Sequence, residues 1–282
     1  MEVKRTHSQN RRKQGDRIFY GQPKQIIKKE TTSTGVSGEA DMKNIAAILT
    51  KELYTYFVSP IAYFVFFIFM AVSGFLFSAM FFYASANQQS SGFVMEILFG
   101  NMSVILLFFA PAMTMKLFAE ERKSGTMELL LTSPITDVEI VLGKFLASYT
   151  LLFIMLLLTL LFPMLITPFG DLDIGPIASG YLGLLLVGSA FLSLGTLISS
   201  MSKNQIVAAL TSFGILLLLW VIGSLSNRGG KLGELFGYLS LIEHFEDFAL
   251  GIVSLKHATY YLSFTTVCLF ATVKSVESSK WR

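Results

Sequence analysis

The chain has 282 residues, of which 53% are hydrophobic and only 15% charged, with 26 phenylalanines and a formal net charge of +3. A soluble domain carries about a quarter charged residues, and here the apolar residues are gathered into long runs rather than spread at helical or strand period. That composition excludes a water-soluble globular enzyme, and the lone Cys268 excludes a disulfide framework or a thiolate metal cluster.

Residues 1–41 are polar and basic, with Lys4, Arg5, Arg11, Arg12, Lys13, Arg17, Lys24, Lys28 and Lys29 and no apolar run. They form no signal peptide, and they read as a solvated, disordered cytoplasmic extension rather than a nucleic-acid-binding arm. No nucleic-acid partner is expected. Met42 opens "MKNIAAILTKEL", which reads as a native start, so residues 1–41 are expected to be an upstream extension. In residues 43–59, Ile45, Ile48, Leu49 and Leu53 fall at helical spacing, with Lys51 and Glu52 on another side. That pattern predicts an interfacial helix ahead of the first span.

Six spans follow: Ile61–Phe82, Leu98–Leu117, Thr136–Thr167, Ala178–Met201, Ile206–Leu225 and a shorter Thr259–Val276. The second contains Pro111, which removes a backbone hydrogen bond and predicts a bend. In the fourth, Ser189, Ser193, Gly195 and Ser199 place small residues at four-residue intervals, which suits close helix approach between subunits or within one. With the N-terminus inside, only Arg228, Lys231 and Lys256 fall in the outer loops 83–97, 168–177 and 226–258. The excess of positive charge on the other side predicts cytoplasmic N- and C-termini. Residues 226–258 are long for an outer loop and rich in Leu, Phe and Ile, so a segment lying on or dipping into the outer leaflet is expected.

The densest charge outside the N-terminal segment is "KLFAEERKSGTMELLLTSPITDVEIVLGK", residues 116–144, which this topology places in the first cytoplasmic loop. Ser124-Gly125 breaks the helix leaving span two. Thr126 can cap a short new helix with Glu128 in its first turn, followed by Leu129, Leu130 and Leu131 and stopped by Pro134. Thr136 and Glu139 then form a capping box, with Ile135 and Ile140 as its hydrophobic staple. The expected product is a short helix below the membrane. Its leucines are ringed by Glu120, Glu121, Arg122, Lys123 and Glu128, an apolar centre with a polar rim that suits a partner protein.

"FAEERKSGTMELLLTSPITDVEIVLGKFLA" resembles the signature of ABC-2 type transporter permeases, through Glu121-Arg122, Gly125-Thr126, Glu128, Leu130, Pro134 and Gly143-Lys144. "KELYTYFVSPIAYF" and "LSLIEHFEDFALGIV" are similar to the branch of gliding-motility-associated and nitrous-oxide-reductase-maturation permeases. The resemblance runs from Met42 to the C-terminus. It implies an all-α ABC-2 permease fold of the type V exporter kind, with six transmembrane helices in the plasma (inner) membrane. It also implies that the loop is a coupling helix seated on a separate ABC-type ATP-binding subunit through Glu120, Glu121, Arg122, Gly125, Thr126, Glu128, Leu129, Leu130 and Pro134. No GxxxxGK[ST] phosphate loop occurs in the chain, so ATP and magnesium are expected on that subunit, with no cofactor and no catalytic residue here. A second copy, or a paralogous permease, is the expected dimer partner within the lipid bilayer.

Asn101 inside the second span and Glu96 near its outer mouth, at the interface, are candidates for a substrate path. His244 in "IEHFED" lacks a convincing ligand set for a metal, with His257 distant in sequence, and reads as part of a polar outer-surface helix. Two other readings compete with transport powered by a partner ATPase. One is a membrane anchor for a gliding-motility or enzyme-maturation apparatus. The other is a secondary transporter, against which the absence of a convincing inverted repeat argues.

Overall fold

A computed structural model describes residues 34–128, 135–169, 173–223 and 230–279. Among the described residues every regular element is a helix. In chain order these are α1 (Thr34–Val58), α2 (Pro60–Ala86), α3 (Ser91–Thr114), α4 (Lys116–Ser124), α5 (Asp137–Thr159) and α6 (Leu161–Ile166). After a 3-10 turn at Thr167–Phe169 come α7 (Ile174–Met201), α8 (Gln205–Val221), α9 (Gly230–Leu239), α10 (Glu243–Ala249) and α11 (Leu255–Ser279).

Local chemistry sets the boundaries. Pro60 opens α2, where its missing N–H costs nothing. The Ser90 hydroxyl accepts from the Phe93 N–H at the start of α3, Asp173 caps α7, and Asn204 caps α8. At the start of α5 the capping box forms as expected: Thr136 Oγ1 accepts from the Glu139 N–H, and Glu139 Oε2 accepts from the Thr136 N–H at 2.6 Å. Ile135 and Ile140 meet in one apolar cluster. The helix leaving the second span ends at Gly125, whose φ of 73° is left-handed and favours glycine. The irregularity expected at Pro111 falls four residues later, at Met115, which divides α3 from α4.

Four stretches are long and apolar enough to cross a membrane: Ala62–Ala86, Ser91–Ser124, Asp137–Phe169 and Ile174–Met201. They coincide with the first four expected spans. The last two expected spans are helices too, but α8 has only 17 residues, about 25 Å at 1.5 Å per residue. The longer α11 mixes its apolar residues with Lys256, Lys274, Glu277 and several hydroxyls.

α7 is the central helix. It packs on α3, α4, α5, α8, α10 and α11, and 72% of its most apolar window is buried, against 17% for α2. Its small residues make this possible. A methyl group at Gly180 would collide with Phe99, at Gly188 with Leu152, and at Gly195 with Thr114. Ser189 Oγ lies 3.2 Å from Thr265 Oγ1 on α11. The small face read from the sequence therefore packs helices within this chain. α2 instead exposes Phe64, Phe67, Phe75 and Phe82, a face suited to acyl chains.

The segment expected along the outer leaflet folds partly into the bundle. Phe245 and Phe248 of α10 are buried, and Gly183 of α7 lies against Phe248. His244 corrects the reading of a polar outer-surface helix, since it is only 4% exposed. Its Nδ1 is 2.8 Å from the Ser240 carbonyl, and its ring stacks on Tyr260 with centroids 4.0 Å apart. Folding also brings the distant His257 ring to 4.9 Å, where its Nε2 pairs with Asp247 at 2.9 Å. No group able to hold a metal ion occurs among the described residues.

Candidate functional site: the charged end of the bundle

The end of the bundle that carries the charged loop is built on α1. Asn44, Ile48, Glu52 and Tyr56 stand four residues apart, so they line one helix face, and each meets the bundle. The Asn44 amide donates to Glu139 Oε1 at 2.9 Å. Ile48 packs against Gly143, where a Cβ would come within 2.8 Å of the Ile48 side chain and 3.2 Å of the Ile45 carbonyl oxygen. The Tyr56 hydroxyl donates to the Met113 carbonyl at 2.6 Å. Burial first, and then the nearby Glu52 carboxylate, push the Tyr56 phenol far above its ordinary range, so it stays a donor.

Glu52 is the departure from expectation. The apolar spacing of α1 put it on another side from Ile48 and Leu53, yet it turns inward. The reason is Lys144, only 1% exposed on α5. Its Nζ donates to Glu52 Oε1 and Glu121 Oε1, both at 2.8 Å, and lies 5.2 Å from the centre of the Phe118 ring. Lys51, on the exposed side, stands 3.7 Å from Glu121 Oε1. A buried ammonium is costly unless paired and hydrogen-bonded. Two carboxylates drawn from α1 and α4 meet that requirement. Beneath them Ile48, Leu117, Phe118, Met127, Ile140, Val141 and Val276 form a separate apolar cluster joining α1, α4, α5 and α11.

The break at Met115 is held by α7. Ser199 Oγ accepts from the N–H groups of Phe118 at 3.1 Å and Ala119 at 3.3 Å, and donates to the Met115 carbonyl at 3.1 Å. A helix restarting after a break leaves such groups without intrahelical partners, and one serine serves three of them.

The residues expected to touch an ATP-binding subunit divide into two sets. Glu120, Gly125, Thr126 and Glu128 are exposed. Thr126 Oγ1 bonds Ser124 Oγ at 2.8 Å. Glu121 faces Lys144, and the Arg122 guanidinium donates to Ser279 Oγ near the end of α11. Met127 and Glu128 are helical, while Leu129, Leu130 and Pro134 lie outside the described residues. Glu96, a substrate-path candidate, is exposed on α3 and lines a cavity of about 330 Å³ with Trp220 and Glu246. Asn101 is half-buried and lines neither that cavity nor the one described below. The sequence pointed to Gly143-Lys144 as a signature, but not to Glu52 and Ser199 as the groups that make it a node.

No curated protein matches the chain. A family model described as "ABC-2 family transporter protein" matches residues 46–272, which takes in α1 from residue 46, all of α4 and α5 around Lys144, and most of α11. The chain belongs to the ABC-2 transporter family and is a multi-pass membrane permease.

Proposed function

We propose that this permease works with a separate ATP-binding subunit and that the loop between α4 and α5 is the surface that subunit drives. The proposal includes six crossings, cytoplasmic termini, residence in the plasma membrane, and a dimer whose second half is another copy or a paralogous permease. ATP and magnesium belong to the partner, and export is the expected direction. The observation that supports this reading is the Lys144 node, because its two carboxylates stand on α1 and α4 while it stands on α5.

A push on the loop therefore bears on three helices rather than one. α4 cannot move away from α5 without stranding a buried ammonium. α1 is held to the same point by Glu52, and Ser199 passes the displacement of α4 to the central α7. Exposed Glu120, Thr126 and Glu128 supply the polar rim for the partner.

Co-expression with the ATP-binding subunit tests this. Glu128→Lys and Leu130→Asp should each abolish its co-purification without loss of the permease from the membrane. Normal recovery of the subunit with both variants would refute the coupling role. Sidedness is read by Glu128→Cys in a Cys268→Ser background: an impermeant thiol reagent should label it only from the cytoplasmic side.

A further inference from the structure

The charged end contains a cavity of about 360 Å³ lined by α1, α2, α3, α4 and α5. Its lining is divided by chemistry. At one level stand Lys51, Lys116 and Lys144 with Glu52, Glu120 and Glu121, so the charged part carries no net charge. At the other stand Val65, Phe66 and Met155. Along α5 the lining reaches from Lys144 to Met155, about 16 Å of helix. The cavity therefore passes from the charged loop end into the apolar spans, the dimension of a headgroup with the first carbons of its chains.

Two groups in that lining are incompletely used. Lys116 makes no ion pair among the described residues. Glu121 gives Oε1 to Lys144, but its Oε2 is buried without a hydrogen-bond partner. A buried carboxylate oxygen without a donor is costly, and only an N–H or O–H group can relieve it. We propose that this cavity binds an aminophospholipid, whose phosphate lies between Lys116 and Lys51 and whose primary ammonium donates to Glu121 Oε2 beside Glu120.

The chemistry discriminates among lipids. A quaternary ammonium has the same charge but no N–H, so it leaves Glu121 Oε2 unsatisfied. An anionic headgroup without an ammonium adds net charge to a neutral lining that holds three carboxylates. Free phosphoethanolamine satisfies the polar half and leaves the wall of Val65, Phe66 and Met155 uncovered, so the bilayer is the source. The proposal needs only that this end of the bundle lie at a bilayer surface. Its failure leaves the coupling role intact, because co-purification of the ATP-binding subunit is measured separately.

The full chain would be reconstituted in nanodiscs of phosphatidylcholine with equal minor fractions of phosphatidylethanolamine and phosphatidylglycerol. It would then be extracted into mild detergent, and retained lipid counted by native mass spectrometry. Phosphatidylethanolamine should be retained about tenfold above either other lipid, the factor expected for one charge-assisted hydrogen bond. Glu121→Gln, whose amide N–H replaces the acceptor that the ammonium needs, should remove that preference; Lys116→Ala and the cavity-filling Met155→Trp should each lower the retained phosphatidylethanolamine, and excess soluble phosphoethanolamine should not. Glu121→Gln leaves Lys144 paired with Glu52, so it keeps the test decisive if Met155→Trp does not fold. Retention of the three lipids in proportion to their share of the bilayer, a preference that survives Glu121→Gln, or displacement by the soluble headgroup would overturn the proposal.

Discussion

Lys144 and Glu121 lie 23 positions apart in sequence and 2.8 Å apart in space, on the two helices that bracket the charged loop. The pair closes the base of that loop, and Glu52 of α1 completes it from the other side. Removing the ammonium would leave two largely buried carboxylates facing each other. Lys144→Met should therefore lower stability by about 3 kcal/mol, the usual cost of breaking a buried pair from one side. Thermal unfolding of the purified protein measures it. Adding Glu52→Gln and Glu121→Gln should recover most of the loss, whereas full additivity of the three changes would show that they do not share one node.

Two glycines that both touch neighbouring helices should respond differently to alanine. At Gly143 the added methyl meets Ile48 Cβ and Cγ2 at 2.8 Å and the Ile45 carbonyl oxygen at 3.2 Å, and the Cβ and the carbonyl oxygen are fixed by the backbone of α1. At Gly188 the close neighbour is the tip of Leu152, with Cγ already 3.5 Å away. Gly143→Ala should cost about 1–3 kcal/mol as overpacking. Gly188→Ala should cost less, by the same melting measurement. The reverse order would contradict the packing of α1 on α5.

Ser199 offers a local readout. Ser199→Ala strands the N–H groups of Phe118 and Ala119 and leaves the Met115 carbonyl without its donor. A buried unsatisfied group costs about 1–3 kcal/mol. Amide hydrogen exchange over residues 115–120 should accelerate by about tenfold or more, with the centre of α7 unchanged. Unaltered exchange at Phe118 would mean that Ser199 does not hold the break.

Acidification should loosen the other end of the bundle. Burial holds the His244 imidazole below its ordinary value of 6.5; the Ser240 carbonyl acts the other way, His257 and Lys256 lower it further, and Glu243 opposes them. Because its folded pKa is depressed, the unfolded chain binds the proton first. The stability contributed by neutral His244 is thus present above pH 6.5 and is lost as pH falls below it. Asp247 faces the same cluster through its 2.9 Å pair with His257. Melting temperature should fall below that pH in the parent protein, and the fall should shrink in His244→Phe, whose ring can keep the stack on Tyr260. An unchanged slope would exclude His244 as the titrating group.

What a few adjacent residues encode was legible without coordinates. Long apolar runs with little charge demand a helical membrane protein, because each unsatisfied backbone group in hydrocarbon is costly. The Thr136–Glu139 capping box and the stop at Gly125 need only three or four residues to be recognised, and both form. Their partners are local, so pattern suffices.

The node was decided by the tertiary structure alone. Apolar period shows which side chains are costly to expose, and by that criterion Glu52 belonged on the wet side of α1. It lies inside because a lysine 92 positions away arrives there needing an acceptor. Ser199 follows the same logic, with partners supplied by a helix remote in sequence, while the His244–His257 pair forms where the chain passes from α10 into α11. A hydrophobic pattern can place a helix face, but only the meeting of helices determines which buried charge is satisfied and by whom.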